Sequence, residues 1–296
     1  FEQAAGQAPH LELLAQFQEG QVAAAHRYYP ADIMNPKLVN WLDGALSAGQ
    51  VEHVGVIVKG PLDSFPFNKQ RNGIFEVVAT THETPLHYRE GWPPLQDLSA
   101  RLEFHEQSMD IELLSGRIYN SPIQQLHASI DDLWPATPLH LTGRIAGPPE
   151  DQIAVLKEDA LKPKFGHIAE ALRVRGDAEL NLDFHVPLSQ LGEYALDGTL
   201  AFKNAGLALP GWELDIDQIN GDLLISLDAL RAQGIHGQTM GSPVSVSVTP
   251  QKNGSTRVSA ELRLDHQATE KQLPQPPRQT PKGNAHSASH LDAPGV

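Results

Sequence analysis

Residues 177–188 read DAELNLDFHVPL, a run in which Ala178, Leu180, Leu182, Phe184, Val186 and Leu188 alternate with Asp177, Glu179, Asn181, Asp183, His185 and Pro187. Successive side chains leave a β-strand on opposite faces, so a period of two gives one apolar face and one polar face. The same period recurs along the chain. It appears in Leu11, Leu13, Ala15 and Phe17, in Val54, Val56 and Val58, and in Phe75, Val77 and Ala79. It continues in Leu102 and Phe104, in Met109, Ile111 and Leu113, and in Leu214 and Ile216. Val244, Val246 and Val248 follow it, as do Val258, Ala260, Leu262 and Leu264. Gly, Pro, Asn or Asp stands in most of the gaps, which is the chemistry of hairpin turns. The expected fold is mainly β: an extended, curved antiparallel sheet built from repeated meanders, with two or so short helices.

The helical signals are brief. MNPKLVNWLDGAL (34–46) sets Leu38, Trp41, Leu42 and Ala45 at helical spacing, with Asn35 as N-cap and Pro36 in the first turn. EDQIAVLKEDAL (150–161) places Ile153, Leu156 and Ala160 in the same way. Residues 1–30 are expected to form a strand pair ahead of the first helix. Two short helices cannot cover the apolar face of so many strands. That face must be buried against a second sheet, against its own strands or against a ligand. A trough lined by Val, Leu and Ile suits acyl chains, which need apolar area and no directional partner, at roughly 25 cal/mol per Å² buried. In that reading the lining comprises Leu102, Phe104, Ile111, Leu113, Leu180, Leu182, Phe184, Val186, Leu214, Ile216, Val244 and Val246. A sandwich whose inner faces bury each other fits the same pattern. The residues leave both open.

A second regularity is an internal repeat. Residues 73–130 and 198–248 align with Gly73 on Gly198, Leu86 on Leu207, and Gly91-Trp92 on Gly211-Trp212. Gly116 then falls on Gly237, and Ser121-Pro122-Ile123 on Ser242-Pro243-Val244. Each copy is expected to be a four-strand meander, and stacked copies extend one sheet. The chain has only 4 Trp, so their reuse after Gly in matching turns is informative. Gly91, Trp92, Gly211 and Trp212 are read as turn and rim positions that pin each repeat to its neighbour; a lip at the edge of a lipid path is the other reading.

Chemistry-bearing motifs are missing. A net charge of −14 without Lys/Arg clusters argues against a nucleic-acid partner. No apolar run reaches the length of a membrane span, and zero Cys excludes disulfides and thiolate metal sites. HETPLH (82–87) starts like a zinc-protease helix, but its second His falls one residue late and Pro85 breaks the helix. His286 and His290 lack a third ligand, and Asp215 with Asp217, like Asp131 with Asp132, reads as a solvated charged surface. No nucleophile elbow or phosphate-binding loop is present. No catalytic residue, metal or cofactor is expected. The chain opens at Phe1 without Met or a signal peptide and is expected to be a piece of something longer.

The motifs WLDGALSAGQ, GPLDSFPF, HYREGWPPLQDLSARLEF, GRIYNSPI and GDAELNLDFHVPL, in this order, resemble the large AsmA-like proteins of Gram-negative envelopes, and most nearly the YhdP family. The resemblance runs from HLELLAQF to about RVSAELRL. It implies a bridge-like protein anchored in the inner membrane that crosses the periplasm and conducts phospholipid toward the outer membrane along an apolar β-groove. This chain would be a middle segment, with acyl chains as its partner and membrane contact made by segments it lacks. Residues 1–265 are expected to be one continuous repeat sheet, and the Pro/Gln/Ser-rich residues 266–296 to be disordered. A scaffold β-repeat with a self-closed apolar core and no lipid is the alternative.

Overall fold

The computed structural model describes residues 9–29, 36–65, 67, 72–133, 137–159, 162, 166, 169–170, 173–187, 195–210, 213–227, 229–251, 256–263 and 290–292. Among them are β1 (His10–Gln21), β2 (Gln50–Pro61), β3 (Ile74–Leu86), β4 (Leu95–His105), β5 (Ser108–Ile118), β6 (Ser121–Ile130) and β7 (Leu139–Gly147). They continue with β8 (Arg173–Val186), β9 (Ala195–Leu209), β10 (Leu214–Ser226), β11 (Leu230–Thr239), β12 (Ser242–Pro250), β13 (Thr256–Leu262) and β14 (His290–Asp292). The sheet order is the sequence order, β1 to β14, as in an antiparallel meander. Helical elements among the described residues include α1 (Pro36–Ala45) and α2 (Pro149–Val155), with 3-10 turns at Val22–Arg27 and Leu62–Ser64; residues 162, 166 and 169–170 are helical as well. No helix among the described residues is long and apolar enough to cross a membrane.

Two expectations change in detail. Residues 10–27 hold one strand and a 3-10 turn rather than a strand pair. The reason is that VAAAHR neither alternates nor offers hairpin chemistry, and β1 takes its partner from β2 instead. The second helix runs only from Pro149 to Val155, where the Leu156 N–H turns back to Ile153 in a tightened last turn. Pro149 opens it and Glu150 and Asp151 occupy its first turn, as the helix dipole favours. In the tail, residues 290–292 pair with β13, while residues 264–289, including His286, lie outside the described residues, as do Asn35 and Leu188.

The chain forms two compact units, residues 1–143 with 183–195 and residues 144–182 with 196–296. In the first, Phe67 is a fully buried plug at 2% exposure. Its ring lies against the backbones of Gly60 and Gly73, where an added Cβ would stand 2.5 Å from ring carbons. Both positions therefore need glycine. Phe65 completes the cluster with edge contacts to Phe67 and Phe75 at 5.7 and 5.2 Å. The Tyr29 hydroxyl donates to Asp43 Oδ1 at 3.0 Å, tying the residues before α1 to that helix. Burial first and Asp43 second push its phenol up to about 12.

The second unit has its own core. Ala205, Ile216, Ile219, Ala232, Ile235 and Val244 are buried together, with Phe202, Leu207, Leu214, Leu223, Val246, Val248 and Leu262 packed around them.

The repeat is visible in backbone conformation as well as in residues. Left-handed non-glycine residues recur as Glu83 and Asn204 (φ 49° and 51°), Asp97 and Gln218 (both 54°), and Tyr119 and Met240 (both 51°). The first four sit at register shifts in β3, β9, β4 and β10, so each repeat carries the same β-bulges, which bend and twist a strand. Tyr119 and Met240 shape the hairpins before β6 and β12. Gly116 presses on Leu98 as Gly237 presses on Ile216 and Asp217 in the respective preceding strands. Ser121 and Ser242 are buried at the strand starts that follow.

Candidate functional site

Strand register in the first unit lines apolar residues into rungs. Phe17 pairs with Val54, Val54 with Ala79, Ala79 with Leu102, Leu102 with Ile111, and Ile111 with Ala128. The next rung is Ala15, Val56, Val77, Phe104, Met109 and Ile130. Residues opposite one another in an antiparallel pair point to the same face. The rungs thus make one unbroken apolar face across six strands, half-buried over most of its extent, with Phe17 50% exposed at one margin.

The reverse face of the same strands is mainly polar, with Leu14, Ile57 and Val78 as apolar members. His53, Thr80, Arg101, Glu112 and His127 form a rung there. Polar contacts run across it, from His127 to Asp110 at 2.6 Å, His105 to Glu76 at 3.1 Å and His82 to Glu52 at 2.7 Å, and Arg101 pairs with Glu103 along β4 at 2.5 Å. One face therefore suits water and the other does not. The principal contacts of β1 to β6 are with their sheet neighbours, and α1 packs at the sheet's end rather than over the rungs.

That end holds Trp92. Its backbone N–H donates to the Arg89 carbonyl at 3.3 Å in the turn after Gly91 (φ 74°), and its ring tilts against Tyr88 at 6.3 Å. Tyr88 in turn accepts the Trp41 indole N–H at 2.8 Å, and His87 N–H donates to the Ala45 carbonyl at 3.2 Å. Trp92 thus belongs to an aromatic group that fastens α1 to the β3–β4 turn. Gly211 and Trp212 lie outside the described residues.

The sequence-selected lining residues fall as follows. Leu102, Phe104, Ile111 and Leu113 are half-buried on the apolar face just described. On β8, half-buried Leu180, Leu182, Phe184 and Val186 alternate with exposed Asn181, Asp183 and His185. In the second unit Leu214 and Val246 are partly buried beside the core cluster, and Ile216 and Val244 lie inside it at 2% and 4% exposure.

The second unit also has a shallow polar depression of about 500 Å³ lined by Arg175, Asn204, Asp217, Gln218, Gln238 and Met240, among others. Arg175 donates to Asp215 at 2.8 Å and to Asp217. These carboxylates, Asp215 first, hold the guanidinium above its usual pKa. Asp215 and Asp217 are thus partners of one arginine on a solvated face, not an acid/base pair. Because all three side chains are close to half exposed or more, Arg175→Gln is expected to shift stability by no more than about 1 kcal/mol in urea unfolding.

One grouping escaped sequence reasoning. His140, Asp183 and His185 bring their ligand atoms within 4.8 Å of one another. The only sequence signal was the alternation that puts Asp183 and His185 on one face; His140 lies 43 residues from Asp183 and joins them only by strand pairing.

The YhdP protein family matches residues 1–295. The intermembrane phospholipid transporter YhdP of Escherichia coli (strain K12) is 23% identical over 264 residues. That alignment covers 89% of this chain and 20% of the relative, so the chain spans about a fifth of that protein's length. No solved structure matches.

Proposed function

Since the chain belongs to the YhdP family, we propose that it is a segment of a bridge-like protein that carries phospholipid between the inner and outer membranes, by binding and not by catalysis. The observation that carries this reading is the apolar face of the first unit: in-register aliphatic and aromatic rungs with a mainly polar face behind them. Acyl chains fit such a surface because they take any apolar area and ask for no hydrogen bond. The polar face keeps the segment compatible with an aqueous periplasm. Leu102, Phe104, Ile111 and Leu113 would contact the chains in the first unit; Leu180, Leu182, Phe184 and Val186 are separate candidates on β8. Membrane contact, including an inner-membrane anchor, would come from other parts of the full-length protein.

The test is lipid extraction and mass spectrometry on the folded chain purified from a bacterium. Phospholipid at near-stoichiometric amount is the expected result. A stable chain without lipid would overturn the proposal and favour a scaffold whose apolar face is closed by protein.

A further inference from the structure

We infer that His140, Asp183 and His185 form a binding site for a divalent transition metal on the polar side of the β7–β8 strand pair, with zinc the fitting probe. The inference is independent of lipid binding. Asp183 and His185 are two apart on β8 and so share a face, and His140 reaches them from neighbouring β7. Nε2 of His140 lies 2.9 Å from Asp183 Oδ1, and Nε2 of His185 lies 3.4 Å from the same oxygen. The imidazole rings stack with an interplanar angle of 3° and a centroid separation of 4.2 Å.

The spacing suits a metal. Tetrahedral zinc with bonds of about 2.0–2.1 Å sets neighbouring ligand atoms about 3.3 Å apart. The two observed N···O separations bracket that value. An ion between the three groups would take the lone pairs of two neutral Nε2 atoms and the charge of the carboxylate together, with the half-exposed rings turning out of their stack to face it. Two imidazoles and one carboxylate are a donor set that zinc, copper and nickel accept. Three protein ligands leave a coordination position for water. All three side chains are 39–52% exposed, so an ion needs no entry path. A bound metal would cross-link strands whose ligands lie 43 residues apart.

Calorimetric titration of the full chain, purified without a histidine tag, with zinc chloride tests this. Saturable binding near one equivalent is expected, weakened about tenfold or more by each of His140→Ala, Asp183→Asn and His185→Ala. Circular dichroism of each variant should match the parent, because the three side chains are exposed. The double substitution His286→Gln with His290→Gln should leave binding unchanged. Absence of saturable binding would overturn the inference, and so would equal affinity in the three ligand variants or loss of binding in the tail variant.

Discussion

Leu102→Glu empties the purified chain of phospholipid while its far-ultraviolet circular dichroism stays that of the parent. Leu102 stands in the middle of the Val54–Ala79–Leu102–Ile111 rung, with Phe104 two residues along the same face. A carboxylate there has no basic partner within β4, since Arg101 and the other charged groups of that strand point to the opposite face. Against acyl chains it would be an unpaired charge in an apolar medium, which costs several kcal/mol or drives the group to bind a proton. Against water it costs little. Lipid content and folding therefore respond separately if the face is open. If protein covers the face, the same charge is buried in a core, and the sheet loses several kcal/mol of stability and unfolds. Lipid is read by mass spectrometry of the extract, and Thr80→Glu on the reverse face serves as the control that keeps its lipid. Parental lipid content in Leu102→Glu would sink the proposal.

The largest single loss of stability is expected from Phe67→Ala, about 3–5 kcal/mol in urea or thermal unfolding. Phe67 is among the largest fully buried side chains, and two glycines have given up their own side chains to admit its ring. Removal leaves a void that Gly60 and Gly73 cannot fill, and the edge contact with Phe65 goes with it. The residue also holds a left-handed backbone at φ 69°, so the ring's burial is what sustains a conformation that a side chain resists. Phe67→Leu should lose distinctly less. A change below about 1 kcal/mol for the alanine variant would mean that the ring is not the plug its burial indicates.

What could be read from the residues was decided by period. Alternation placed the strands, and it separated Leu102 and Phe104 from Arg101 and Glu103 before any pairing was known. The repeat showed through Gly116, Gly237 and the two Ser-Pro pairs because close backbone approach and strand entry restrict the residue type. The bulges did not show. Glu83, Asp97, Asn204 and Gln218 adopt left-handed geometry without being glycine, so composition carries no mark of them. Phe67 looked like any other aromatic, since its burial comes from Gly60 and Gly73 on either side in the chain. The His140 group was hidden for a different reason. Its residues meet through strand neighbourhood, and register is not written in any local motif. The second unit shows the limit of alternation: it marked Ile216 and Val244 as apolar-facing, but it could not say that they would be packed inside a core.

A strand order identical to the sequence order has a consequence for synthesis. Each strand finds its partner in the segment made just before it, so assembly can follow the ribosome without waiting for distant parts of the chain. Such near-neighbour closure keeps the entropic barrier of each step small. Besides the β1 edge, it also leaves a raw growing edge at every stage, a template on which a foreign strand could seat until the next hairpin covers it. Lengthening the protein by duplication then requires no existing pair to be broken, because a new meander simply joins the last open edge.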